Sequence, residues 1–240
     1  MGRGRFYTGT PPEKVLSYLA SFIACNFIEK NMRVPKISPM RRIGWFTAAP
    51  LVFLLIASSV GRADLIGHGG MVRSADVSPD GMRVITGSFD YSARVWNFGD
   101  QSEVAVLDRH AGPVTSVMFD PTGSRALTTS DDYQAIYWDL NNYEPLQFLK
   151  GHKHKVMSAD ITASGQFAAS GSWDKTVKIW DLRTGAETQT FSTTSPVNAV
   201  VFLKDGKHLV SGGHHPVIEV WNLETGDIAG KLEGHLMGIT

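Results

Sequence analysis

Four tryptophans recur at a near-constant interval: Trp96, Trp138, Trp180 and Trp221 are separated by 42, 42 and 41 residues. Each closes a short alternating run: Ala93-Arg94-Val95-Trp96, Ala135-Ile136-Tyr137-Trp138, Val177-Lys178-Ile179-Trp180 and Ile218-Glu219-Val220-Trp221. An Asn or Asp and then an apolar residue follow in every case (Asn97-Phe98, Asp139-Leu140, Asp181-Leu182, Asn222-Leu223). Alternation of period two marks strands, and recurrence near forty residues marks one supersecondary unit used repeatedly. Pro79-Asp80-Gly81, Pro121-Thr122-Gly123, Ser164-Gly165 and Asp205-Gly206 are tight-turn signals upstream of the tryptophans. His68, His110 and His152 each stand 28 residues before their tryptophan. A unit this short cannot bury both its faces alone, so neighbouring copies must stack.

This pattern resembles the WD-repeat family, in which a repeat of about 40–45 residues forms a four-stranded propeller blade bearing a Gly-His and a Trp-Asp mark. The resemblance covers residues 67–240. It implies an all-β fold: a partial WD-type β-propeller of four blades plus the start of a fifth; an apolar leader helix is expected before it. Blades are expected at about 67–108, 109–150, 151–191 and 192–232, with Glu233-Gly234-His235 opening the fifth. Most members have more blades, so the chain reads as a truncated propeller, an open arc or strained ring with exposed pairing edges.

In the family a His, a Ser or Thr, an Asp in a turn and the Trp of one blade form a hydrogen-bonded tetrad. The resemblance implies His68, Ser88, Asp90 and Trp96 for blade one. It implies His110, Ser130, Asp132 and Trp138 for blade two, and His152, Ser172, Asp174 and Trp180 for blade three. Blade four has Thr193, Gly213 and His215 at the aligned positions, leaving only Trp221, and is expected to be the least rigid. The Ser/His/Asp sets invite a catalytic-triad reading, but three equivalent copies locked between strands are not one nucleophile in an open site. No catalytic residue and no enzyme activity are therefore expected.

The same resemblance places partner contacts on the loop face, beside each turn Asp and at the start of each innermost strand. The positions are Met71, Arg73, Phe89, Asp131, Lys155, Met157, Trp173 and His214. Large aromatic groups in loops, joined by Met and Arg, suit recognition of a protein or peptide. The alternative is that Phe89 and Trp173 pack between adjacent blades. His214 and His215 could hold a metal with His154, but adjacent turn residues rarely point at one ion, and no metal is assigned. No phosphate loop, zinc-protease helix or dinucleotide fingerprint occurs, so no cofactor is expected.

Charge divides the chain. Residues 1–63 hold nine Lys/Arg and two acidic residues, and residues 64–240 hold fourteen and twenty-one, so balances of +7 and −7 cancel. An acidic globular part disfavours nucleic acid as a partner. Arg41-Arg42, the uncharged apolar run Ile43–Ala57 and the small residues through Ala63 make a secretory pattern. The expected organisation is an upstream extension at 1–39, a signal peptide or signal anchor at 40–63 with Met40 as initiator, and the propeller at 64–240. The protein is expected to be periplasmic or secreted, touching a membrane only through an uncleaved leader. Its single cysteine, Cys25, lies upstream, so the propeller has no thiol.

Two functions fit. The first is a non-catalytic interaction scaffold outside the cytoplasm. The second is the propeller part of a periplasmic c-type cytochrome protein, because a secretion signal abutting these blades looks like bacterial proteins with a carboxy-terminal haem domain. The C-x-x-C-H haem-attachment motif does not occur in this sequence.

Overall fold

The computed structural model describes residues 67–239. The expected extension, leader helix and signal, and Thr240, lie outside the described residues. Sixteen strands form four antiparallel sheets of four, each a meander of strands consecutive in the chain. The first is β1 (Val72–Val77), β2 (Arg83–Ser88), β3 (Ala93–Asn97) and β4 (Glu103–Leu107). The second is β5 (Val114–Phe119), β6 (Arg125–Ser130), β7 (Gln134–Asp139) and β8 (Glu144–Lys150). The third is β9 (Val156–Ile161), β10 (Phe167–Ser172), β11 (Thr176–Asp181) and β12 (Ala186–Ser192). The fourth is β13 (Val197–Phe202), β14 (His208–Gly213), β15 (Ile218–Asn222) and β16 (Ile228–Leu232). Among the described residues no helix is long and apolar enough to cross a membrane.

The turns follow the local chemistry. Gly81, Gly123, Gly165 and Gly206 sit in the first hairpin of their sheets at φ between 67° and 73°, where a residue without Cβ meets no steric penalty. The second hairpin reaches the same left-handed region with Tyr91, Tyr133 and Lys175, at φ of 73°, 74° and 65°. The registers Val72↔Ser88, Val114↔Ser130, Val156↔Ser172 and Val197↔Gly213 put the segment leading into each inner strand at the same end of the blade as the second hairpin. That end is the loop face. The first and third hairpins lie at the other end.

The core consists of three apolar layers between consecutive sheets. Ile85, Val95 and Leu107 of the first meet Val117, Phe119 and Trp138 of the second. Leu127, Tyr137 and Leu149 meet Ile161 and Trp180 of the third, and Ile179 and Phe191 meet Val200 and Trp221 of the fourth. The tryptophans, on the third strand of every sheet, are almost completely buried. Backbone donors are satisfied across the layers: the Phe119 N–H donates to Asp76 and the Phe202 N–H to Asp160. Burial raises the Asp160 pKa above the usual carboxylate value, against the pull of the Phe202 and Ile161 N–H groups.

Inner strands meet in chain order, β1 on β5, β5 on β9 and β9 on β13. No comparable contact joins β1 to β13 among the described residues. The segment expected to open a fifth blade forms no strand among them, yet it docks on blade four. The Ile239 N–H donates to the Gly213 carbonyl (2.6 Å), and the Asn198 amide donates to the Ile239 carbonyl (2.7 Å). In blade two the Thr115 hydroxyl donates to the Val156 carbonyl at the start of the next inner strand. Ile239 thus occupies the place of such a first residue.

Candidate functional site: the tetrads and the loop face

Within each of the first three blades one hydroxyl joins the histidine to the tryptophan. In blade two the Trp138 indole N–H donates to Thr128 Oγ1 (2.9 Å), and His110 Nε2 lies 2.7 Å from the same oxygen. His110 Nδ1 is 2.8 Å from Asp132 Oδ2. An ionised carboxylate only accepts, so Nδ1 carries the proton and neutral Nε2 accepts from the Thr128 hydroxyl. The proton order is Trp138 to Thr128 to His110, and His110 to Asp132. Blade one repeats it with Trp96, Thr86, His68 and Asp90, and blade three with Trp180, Ser170, His152 and Asp174.

The hydroxyl is therefore not the expected Ser88, Ser130 or Ser172. Those serines lie two residues further along the second strand and serve the turn instead. Ser130 Oγ donates to the Gly112 carbonyl and accepts the Asp132 N–H, and Ser172 Oγ does the same with the His154 carbonyl and Asp174 N–H. Ser88 Oγ accepts the Asp90 N–H. The turn aspartates are held by many donors. Burial raises the Asp132 pKa, but the hydrogen bonds from His110, Gln134 and the Ala111 N–H outweigh it and bring the carboxyl down to about 2. Asp90 and Asp174 are also lowered: burial is outweighed by Ser92 and His68 in one case and by His152 and Thr176 in the other.

Hydroxyl, imidazole and carboxylate thus stand in the order of a hydrolytic triad. Thr128 has no exposed surface and Ser170 is 1% exposed, and a Trp N–H already occupies the oxygen. A hydroxyl sealed from solvent cannot meet a substrate. These groups act as a polar brace that ties the loop leading into the blade to its second hairpin.

The brace leaves a ring-rich surface outside it. Trp173 packs against His154 (ring centroids 5.8 Å apart) and His214 (5.4 Å), and His154 continues to Tyr133 at 5.7 Å. The Lys155 ammonium sits 5.6 Å from the Trp173 ring centre and pairs with Asp131. The Trp173 indole N–H donates to Asn198 on β13 (2.8 Å), so this residue both bridges two blades and faces outward. On blade one, Arg73 lies 5.9 Å from the centre of the Phe89 ring, and Met71 is 61% exposed beside them. Met157 is half-buried on the third inner strand.

The protein-family comparison matches four stretches, 60–97, 101–139, 143–181 and 185–222, to the model described as WD domain, G-beta repeat. The chain belongs to the WD-repeat family. No curated protein matches it. Propellers of this family generally bind protein partners and are typically non-enzymatic. The matched units are offset by one strand from the sheets: 101–139 contains β4 of one blade and β5, β6 and β7 of the next. In this WD-repeat protein each sequence unit therefore contributes to two neighbouring blades.

Blade four of the WD-repeat array departs from the others, though less than its sequence suggests. The Trp221 indole N–H donates to Ser211 Oγ (2.9 Å), so the hydroxyl is retained. Thr193 and His215 do not recreate the imidazole–carboxylate link. The Thr193 hydroxyl donates to the Ser195 carbonyl, and the His215 N–H to Ser195 Oγ. Gly213 takes the place of the turn serine because the Pro196 carbonyl oxygen would lie 1.9 Å from any Cβ there.

Of the expected partner contacts, Asp131, Lys155, Trp173 and His214 converge on one cluster, while Met71, Arg73 and Phe89 form a separate group on blade one. Sequence reasoning left Tyr133 and His154 out of the contact set. The overlooked signal for Tyr133 is its position just after the turn Asp, where the left-handed backbone holds an exposed side chain at the loop end. Among the described residues no group of three or more His, Cys, Asp or Glu could hold a metal, and His154 and His214 are both engaged with Trp173.

Proposed function

We propose that this WD-repeat domain is a non-catalytic scaffold that works outside the cytoplasm and presents its loop face to a protein or peptide partner. The observation that carries the reading is the Tyr133–His154–Trp173–His214 run with Lys155 at its side. Flat rings with polar edges give contact area at low entropic cost and are enriched where binding energy concentrates. The tetrads underneath support it by fixing the loops, because a site held rigid before binding loses less on association. The acidic balance of residues 64–240 disfavours nucleic acid, and the leader is the only segment assigned to a membrane.

Cross-linking from the loop face, with partners identified by mass spectrometry, tests the site. Phe89→Ala together with Trp173→Ala should remove the cross-linked partner while leaving a single cooperative unfolding transition. Undiminished cross-linking in that variant refutes the assignment. Protease accessibility of a tagged chain in spheroplasts tests location, and a fully protected tag refutes it.

A further inference from the structure

Charge is not evenly spread over the acidic domain. The two loop-face segments of blade three hold Lys153, His154 and Lys155 before β9 and Lys175 after the turn Asp. Lys153, His154 and Lys175 are exposed, and neither Lys153 nor Lys175 has an ion pair among the described residues. The acidic groups that face this cluster are committed. Asp174 is bonded to His152 and to the Lys153 and Thr176 N–H groups, Asp132 to His110, and Asp131 to Lys155. On blade four the flanking residues are His214 and His215, with no carboxylate in that hairpin. The opposite end of the blades carries Asp80, Asp100, Asp205 and Glu224 in its hairpins and Asp139 and Asp181 at the adjoining strand ends.

We propose that the loop face of blade three, centred on Trp173, takes an acidic segment of a protein partner, with carboxylates over Lys153 and Lys175 and an apolar side chain on the indole between His154 and His214. This rests on the scaffold reading and gives the partner its chemistry. A cationic patch in an acidic domain selects against the domain's own charge type and draws in an anionic chain. The ring run supplies what charge cannot, a surface of fixed shape that rewards an apolar group beside the carboxylates. Lys155, already shared between Asp131 and the Trp173 face, orients the indole and leaves the two outer lysines to the ligand.

The test is fluorescence anisotropy of the full chain with fluorescein-labelled peptides of repeated Glu-Glu-Leu, Gln-Gln-Leu and Lys-Lys-Leu. The Glu peptide should bind at least about tenfold tighter than the other two and weaken as salt rises. Lys153→Glu with Lys175→Glu, and separately Trp173→Ala, should each cost about tenfold, whereas Lys204→Glu with Lys207→Glu at the far end should change nothing. Equal binding of the Gln peptide, no binding of the Glu peptide, or equal loss in the far-end variant each overturns the proposal. Outcomes separate from the parent reading: partner cross-links lost with Trp173→Ala but kept with both Lys→Glu changes leave the scaffold standing and remove only the acidic-segment inference.

Discussion

Replacing Thr128 by valine keeps the shape of the side chain and deletes one oxygen. That oxygen accepts the Trp138 N–H and meets His110 Nε2, so both groups lose their partner in one step. Trp138 is 1% exposed and Thr128 not at all, so water cannot replace the hydroxyl. Leaving a buried polar group unpaired costs about 1–3 kcal/mol, which gives about 2–6 kcal/mol for the pair. Thr128→Ser keeps the oxygen and loses one buried methyl, about 1 kcal/mol. Blades three and four already use serine at this position, Ser170 and Ser211, against the same indole. The measurement is urea unfolding followed by near-ultraviolet circular dichroism. Ser130→Ala is the comparison, because it disturbs only the turn and should leave the tryptophan signal intact. A Val variant within about 1 kcal/mol of the parent, or a Ser variant as damaged as the Val variant, refutes the hydroxyl bridge.

Three further outcomes are expected. Asp90, Asp132 and Asp174 have folded-state pKa values below the ordinary carboxylate value, so their contribution is complete above about pH 4. It is lost as pH falls toward about 2, the folded value of Asp132, and urea midpoints between pH 6 and pH 2 should drop there, with a shallower drop in Asp132→Asn. Tyr91→Gly relieves a left-handed residue that is half exposed and should raise the unfolding free energy by up to about 1 kcal/mol; a loss of stability contradicts the strain reading. Gly213→Ser, which would copy the other blades, should destabilise by about 2 kcal/mol or more through the Pro196 carbonyl, and a stable variant in thermal unfolding would show that the loop can yield.

The blades were legible in the sequence because the signals that make them are local: a tryptophan ending an alternating strand, a glycine turn and a histidine at fixed distance. The bridging hydroxyl was not. Thr86 and Ser88, Thr128 and Ser130, and Ser170 and Ser172 are each two apart on one strand, so the pleat turns both to the same side. Only depth within the sheet separates the one beneath the indole from the one at the turn. The same slip made blade four look empty, because Gly213 was compared with Ser172 while Ser211 sat unnoticed. The ring run escaped for a different reason. Tyr133, His154, Trp173 and His214 come from four loops on three blades, and nothing local announces that those loops meet.

The one-strand stagger between sequence unit and sheet makes the array behave like overlapping roof tiles. A break in the chain after Asp139 would strip β8 from the very sheet whose first three strands the unit had just completed, uncovering Leu149 from the layer it shares with blade three. No unit can peel away without baring its neighbour, so damage at one seam travels to the next. The loops above are thus held in common register by covalent lapping as well as by contact, and a ligand that spans two blades meets a surface whose halves cannot drift apart independently.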